Sequence, residues 1–467
     1  MPTFPIDPGD IAAVKRWLAT QNTDAAHPLR PIEIAEVLIG ADVLLQLPAV
    51  LQRADIVDGA TVVLVMDTVP MRRGEQDLKP FVVALLRDAG YAVETLWLDG
   101  DQYGLVHADF AQVERVRAAL KPDIALVALG SGTVTDIAKH AAYLYDLEHQ
   151  NQKPVVYICC QTANSVTAFA ANMAVLLKDG VKRTIPSRYP TAIISDLSVL
   201  ASAPTAMTLA GLGDCCARFV AYGDWYLASV LSMVDFYSEV PLALLANLEE
   251  VLTAHAVAIG QRTYEGEAIV ARALLLAGIA QSIVNMSAPI SGTEHVISHV
   301  LDMIAEHYQR GLALHGAQVG VSTLTAAHLY QHFLGTFDPR SINLDNCYPS
   351  DIAMQAHIQQ LFASIDPGDA MAQECWSDYA IKLALWRQHR PRFAQFCAHW
   401  QDEHRPKLAS LVSSPDRVLT ILAQAGAPLT PQDLVPPISP EEYNFAVHNG
   451  HFIRQRFVLG DLLYFVG

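Results

Sequence analysis

Between Thr61 and Asp196 the chain alternates short, β-branched apolar runs with helical stretches, and after Asp196 no comparable run recurs. The runs are TVVLVMD (61–67), VETLWL (93–98), DIALVAL (123–129), PVVYICC (154–160) and TAIISD (191–196). LKPFVVALLRDAG and FAQVERVRAAL lie between them. Strands separated by helices of this length predict a parallel sheet with helices on its faces. Residues 201–467 read as helix after helix, broken by Gly and Pro. Residues 1–60 read as helices and connections, DIAAVKRWLA and EIAEVLIGADVLLQLPAVL. The expected organisation is an N-terminal helical extension (1–45), an α/β domain (46–200) and an all-helical domain (201–467). A chain of 467 residues with 52% hydrophobic and 17% charged residues can fill two such cores.

The net charge of −17 repels nucleic acid and anionic membranes, so neither is expected as a partner. Seven cysteines, without a CxxC, make neither a disulfide framework nor a cysteine zinc site. The N-terminus has no basic start followed by an apolar run, so no secretory leader is expected. The most apolar helical stretch, AIVARALLLAGIAQSIV from Ala268, contains Arg272 and Gln281 and reads as a buried helix. A reducing cytoplasm fits these features.

Two features carry chemistry. The first is DIALVALGSGTVTDIAK, in which Gly130-Ser131-Gly132 turns a strand into a helix opened by Thr133-Val134-Thr135-Asp136. Glycine lets a ligand approach the backbone, and helix-start N–H groups hold phosphate oxygens. The loop also lies at the carboxyl end of a strand, where open α/β sheets bind ligands. Many strand-to-helix turns need glycine only for geometry, and both readings stand on the motif alone. The second feature is a trio of stretches, AGLGDCCAR, SGTEHVISHVLD and LHGAQVG, each offering one ligand: Asp214, His295 and His315. Two imidazoles and a carboxylate suit a divalent zinc, nickel or iron ion, and three protein ligands leave room for a reactant. Most of the 17 histidines in such a chain serve packing or the surface. The three candidates lie 81 and 20 residues apart, so spacing does not establish convergence.

These motifs together resemble the superfamily of iron-containing alcohol dehydrogenases, glycerol dehydrogenases and 3-dehydroquinate synthases. Within it they are most similar to the sn-glycerol-1-phosphate dehydrogenase family. GSGTVTDIAK resembles its dinucleotide loop, and DGVKRTIPSRYPTAIISDLSVLASAP and AGLGDCCARFVAYGDWYLA its central run. SGTEHVISHVLD and LHGAQVGV resemble its histidine stretches, and RQRFVLGDLLYFVG its C-terminal end. The likeness covers about residues 45–467.

The resemblance implies a Rossmann-like domain, a helical domain and a cleft between them. NAD or NADP would lie across Gly130, Ser131, Gly132, Thr133 and Asp136. Asp67, ending the first strand, would face the adenosine ribose and favour NAD, although Arg72 and Arg73 blur that choice. Thr162 and Ser165 would sit beside the nicotinamide. Asp214, His295 and His315 would hold the metal, with His299, four residues after His295, as a proton relay or a supporting residue. Glu294 is read as a surface or supporting residue rather than a ligand. The family pattern TAPSxDGF departs here to QTANSVTAF. Asn164, Thr167 and Ala168 stand where Pro, Asp and Gly are usual, so Thr167 replaces a carboxylate that bonds substrate hydroxyls. Lys182 offers charge for a substrate phosphate, or belongs to a solvated turn. The implied reaction interconverts a small polyol, or its phosphate, with the matching ketone. The first guess is sn-glycerol 1-phosphate and dihydroxyacetone phosphate, by a homo-oligomer. The alternatives are a sugar-phosphate cyclase of the 3-dehydroquinate synthase type and a relative with altered catalysis.

Overall fold

The computed structural model describes residues 2–100, 104, 106–178, 181–366 and 368–466. Two residues of the central run, Asp179 and Gly180, fall outside them. The strands are β1 Glu36–Gly40, β2 Thr61–Met66, β3 Arg72–Arg73, β4 Gln76–Asp77 and β5 Ala92–Trp97. They continue with β6 Ala125–Gly130, β7 Val156–Gln161, β8 Met173–Lys178, β9 Val181–Pro186 and β10 Ala192–Asp196. Six of them form one sheet in the order β1-β10-β7-β6-β2-β5. Every neighbouring pair in it is parallel. The five apolar runs of the sequence are β2, β5, β6, β7 and β10. The inner strands are buried on both faces, as in β6, where all six residues are buried. That burial explains continuous apolar runs rather than alternation. Val62, Leu64, Met66, Val127 and Ile158 pack with Leu78, Val82 and Leu86 of the helix Leu78–Asp88. Each fully buried side chain of this kind contributes roughly 1.5–3 kcal/mol.

The helical reading of residues 33–51 is corrected. Glu36–Gly40 is a strand that pairs in register with Ala192–Asp196, and helix follows only as a 3-10 turn at Val43–Gln46 and an α-helix at Leu47–Arg53. The first 45 residues are therefore not a purely helical extension. Helix Ile11–Gln21 precedes an edge strand of the sheet. A short apolar run such as VLI fits either period, and pairing with β10 decides it. The second correction is the antiparallel hairpin β8–β9, which places Lys182 and Arg183 on a strand rather than a turn.

The chain divides into two compact units. One comprises residues 1–215, 243–286 and 424–426; the other comprises 216–242, 287–423 and 427–467. The first holds the sheet and the helix Tyr264–Ile283, which is long and apolar enough to span a membrane. That helix has 89% of its apolar window buried inside the protein, as a core helix does. In the second unit all described residues in regular structure are helical. There a buried ion pair, Lys382 to Asp461 at 2.8 Å, fixes the start of the final helix.

Candidate active site

The glycine turn is built from inside. A side chain at Gly132 would place its Cβ 2.3 Å from Val166 Cγ2, so the turn needs glycine whatever it binds. The helix Gly132–Glu148 starts without a side-chain cap from Ser131, which leaves its first N–H groups pointing out of the strand end. Next to it, Thr162 donates its N–H to Gly130 O at 3.1 Å. Thr162 Oγ1 is buried and has no hydrogen-bond partner among the described residues. An uncapped helix start beside an orphaned buried hydroxyl fits an anionic dinucleotide. Thr133 is half-buried in the helix's first turn, and Ser165 is buried just past Thr162.

Asp136 has a structural role. Its carboxylate accepts from Lys139 Nζ at 3.0 Å and from the Val175 N–H at 3.1 Å. Lys139 is fully buried and also donates to Ala168 O and Met173 O at 2.6 and 2.9 Å. The Asp-x-x-Lys pair thus pins residues 168–175 against the helix. Burial raises the Asp136 pKa, against the lowering effect of Lys139 and of the more distant Lys182. Asp67 lies beyond β2, whose Met66 pairs with Leu129, so it flanks the glycine turn. Its Oδ1 accepts from Lys79 Nζ at 2.7 Å. A carboxylate already paired to a buried ammonium repels a 2′-phosphate less than a bare one. Arg73 is paired with Asp42.

Asn164, one of the departures, faces the protein interior. Its Nδ2 donates to Glu267 Oε2 at 2.7 Å, and its Oδ1 accepts from Gln161 Nε2 at 2.7 Å. Glu267, with no exposed surface, also accepts from Thr208 at 3.0 Å. Asn164 is thus the partner of a buried glutamate 103 residues away. Gly211 brings the helix Thr205–Cys216 onto this segment: a Cβ there would lie 2.2 Å from Asn164 O. Three residues on, Asp214 Oδ2 accepts the Thr167 N–H at 2.8 Å. The AGLGD motif is therefore a close approach followed by a held carboxylate. Thr167 acts on it through its backbone, and its side chain is buried.

His295 and His299 occupy one face of the helix Thr293–His307, and His315 opens the helix His315–Thr336. Their rings cluster, with centroid separations of 5.2 Å (295–315), 5.7 Å (299–315) and 6.1 Å (295–299). Asp214, His295 and His315 each offer a ligand atom within 4.8 Å of the other two. The hydrogen bonds around them suit a metal. His295 Nδ1 lies 2.9 Å from Glu294 Oε1; an ionised carboxylate only accepts, so Nδ1 carries the hydrogen and Nε2 presents its lone pair. His315 Nδ1 lies 3.0 Å from Ser298 Oγ, whose hydroxyl donates to Gln318 Oε1 at 2.8 Å. Gln318 Nε2 in turn donates to Asp302 at 3.0 Å. That chain gives His315 the same tautomer. Oriented imidazoles backed by carboxylate and hydroxyl, with a carboxylate steadied by an amide, make a donor set fit for a divalent ion. His299 differs. Arg454 Nη2 lies 3.1 Å from His299 Nδ1, and a guanidinium only donates, so that nitrogen accepts and Nε2 carries the hydrogen. Proton relay through Nδ1 would require displacing Arg454. Ser298 and Gln318 had no signal of their own in the sequence beyond helical spacing from the histidines, and Arg454 had none.

Comparison with known proteins follows this geometry. The model of the iron-containing alcohol dehydrogenase family matches residues 38–204. Over those residues the chain is similar to the iron-containing alcohol dehydrogenase family. It is 29% identical over 309 residues to glycerol-1-phosphate dehydrogenase [NAD(P)+] of Bacillus subtilis, covering 66% of this chain and 74% of the relative. It is 36% identical over 223 residues to the enzyme of that name from Methanothrix thermoacetophila, covering 47% and 59%. In the second comparison the chain spans little more than half of the relative's length. The fold is similar to that of an archaeal halo-thermophilic alcohol dehydrogenase from a Red Sea brine pool. The TM-score is 0.54 at 14% identity, over 94% of this chain and 97% of that one. In this chain too a parallel α/β part precedes a helical part.

Proposed function

We propose that this chain is a metal-dependent, NAD(P)-linked oxidoreductase that interconverts a small polyol phosphate and its ketone. sn-Glycerol 1-phosphate and dihydroxyacetone phosphate are the first candidate pair. The observation that carries the reading is the convergence of Asp214, His295 and His315, each oriented by its own partner. A divalent ion held there supplies Lewis-acid stabilisation of charge on the reacting oxygen.

The chain's own residues do the rest. Glu294 and Ser298 fix the ring orientations of His295 and His315, and the Thr167 N–H holds Asp214. His299, whose Nδ1 accepts from Arg454, carries its hydrogen on Nε2 and packs against both candidate ligand histidines. The uncapped helix start at Gly132 would hold the pyrophosphate of a dinucleotide, and Thr162 Oγ1 would be free to bond its nicotinamide end. Asp67, its charge balanced by Lys79, would face the ribose, an arrangement that would accommodate NADP as well as NAD. Hydride transfer needs both reactants held in near-attack geometry, which rigid, buried supports provide. Names of the relatives and the absence of a charged departure in the ligand set support a dehydrogenase. A cytoplasmic homo-oligomer is part of the same proposal.

The test is oxidation of NADH and NADPH by the purified protein with dihydroxyacetone phosphate. Ketone-dependent consumption of reduced cofactor is expected. A cyclase would instead release phosphate from a sugar phosphate without net change in the nicotinamide, and that result would replace this reading.

A further inference from the structure

The segment Thr162–Ala168 carries two contacts of the candidate site, the buried hydroxyl of Thr162 and the Thr167 N–H that holds Asp214. A chain of buried polar groups within the first compact unit holds the segment itself. Ser195 Oγ, on β10, donates to Gln161 Oε1 at 2.7 Å, and Gln161 Nε2 donates to Asn164 Oδ1 at 2.7 Å. Asn164 Nδ2 gives both hydrogens to Glu267, one to Oε2 at 2.7 Å and one to the backbone O at 3.0 Å. Glu267 Oε1 accepts from Thr208 Oγ1 at 3.0 Å and lies 3.4 Å from Arg262 Nε. A carboxylate only accepts, so Glu267 fixes the direction of every bond in the chain; an inverted Asn164 amide would set oxygen against oxygen. Gly278, about three turns after Glu267 on the helix Tyr264–Ile283, completes the grip. A Cβ there would lie 2.8 Å from Thr167 O. Burial raises the Glu267 pKa, against the lowering effect of the Asn164 and Thr208 bonds and of the Arg262 charge. Well-packed apolar residues fill a core as well as a buried charge or better. What they do not supply is direction.

We propose that Glu267, acting through Asn164, is a positioning residue of the site: it sets the Thr162 hydroxyl and the Thr167 N–H together, and so couples the dinucleotide end of the site to the candidate metal ligand Asp214. Proline, usual at position 164 in the pattern that this segment resembles, has no donor to offer a carboxylate. The amide and the glutamate therefore work as a pair, and neither does so alone. This deepens the proposed function and rests on it for the identity of the two ligands, a divalent ion and a reduced nicotinamide.

The test exchanges the charge between the two positions. Asn164→Asp alone sets a second carboxyl within hydrogen-bond distance of Glu267, and like charges there repel. Adding Glu267→Gln restores one carboxylate and one amide, with their bond reversed and the Gln161 bond kept. Two readouts at pH 8 need no turnover: zinc affinity by competition with a chelator, and NADH affinity of the zinc-loaded protein by fluorescence. Asn164→Asp should lose roughly tenfold in zinc affinity and roughly fivefold in NADH affinity, and Asn164→Asp/Glu267→Gln should regain most of both. Asn164→Ala, which removes the amide without adding a charge, should show the same two losses. Val82→Ala, in the core against the sheet, controls for packing: it should lower Tm and leave both affinities as in wild type. Wild-type affinities in Asn164→Asp or Asn164→Ala, no recovery in the double variant, or an equal loss in Val82→Ala overturns the positioning role. A wild type that oxidises no NADH with dihydroxyacetone phosphate, yet shows this pattern of affinities, keeps the pair and overturns the proposed reaction instead.

Discussion

Glu294 has no exposed surface, and its Oε1 accepts two hydrogen bonds, from the Gly292 N–H at 2.7 Å and from His295 Nδ1 at 2.9 Å. Carboxylates behind a metal-binding histidine raise its basicity and fix its tautomer, and losing one typically weakens metal binding 10- to 100-fold, or about 1.4–2.7 kcal/mol. The two obvious variants divide that range. Glu294→Gln keeps an oxygen that can accept both bonds and removes only the charge, so zinc affinity should fall by about tenfold, the lower end. Glu294→Ala also frees the ring to rotate and to take the other tautomer, which points to about 100-fold. It leaves the buried Gly292 N–H unpaired, at a further cost of about 1–3 kcal/mol in folding stability. The assay is equilibrium competition for zinc against a chelator of known affinity, with thermal unfolding of the apo protein alongside. Zinc affinity within about twofold of wild type in both variants would refute the reasoning, since tenfold is the least that the lost charge predicts.

Three further outcomes follow from the same contacts. Gly132→Ala should destabilise the protein by roughly 1–3 kcal/mol through its contact with Val166, and Gly132→Ala/Val166→Ala should recover most of the loss in thermal unfolding. Without the second change, weakened NADH binding in a Gly132 variant reports packing as much as cofactor contact. Thr167→Ala should leave metal content unchanged, because the Asp214 contact is a backbone N–H; lost metal would show that the side chain matters. Asp224 gives a pH dependence: burial first, and then the Glu294 charge, push its carboxyl up to about 7. A carboxyl raised in the folded state contributes stability below its unfolded pKa and loses it as pH rises through about 7. The fall in Tm between pH 5 and 8 should therefore be shallower in Asp224→Asn than in wild type.

The parts of the fold that the sequence showed are those where one residue pattern reports burial directly. β2, β6, β7 and β10 are buried on both faces and read as continuous apolar runs. β1 did not, because EVLIG is five residues long and sits in a stretch whose apolar spacing also suits a helix. Its strand character comes from β10, more than 150 residues away. The candidate ligands Asp214, His295 and His315 were legible only through the resemblance of whole motifs, since intervals of 81 and 20 residues carry no geometry. The i, i+4 step from His295 to His299 did predict a shared face. The supports were invisible for a physical reason: Asn164 with Glu267, Asp67 with Lys79 and His299 with Arg454 are side-chain encounters that only tertiary packing creates. The Asp136–Lys139 ion pair, at i, i+3 on one helix, adds a structural role for Asp136 that the motif alone did not separate from a ligand contact.

The central claim is that Asp214, His295 and His315 hold an ion on which ketone reduction depends. Chelator-stripped enzyme titrated with zinc, nickel or ferrous ion, while NADH oxidation by dihydroxyacetone phosphate is followed, tests it most directly. The stripped protein should be inactive, and activity should rise to a break at one ion per chain, with no rise in His315→Ala. Stripped enzyme as active as loaded enzyme, or His315→Ala restored in the same way as wild type, would contradict the account.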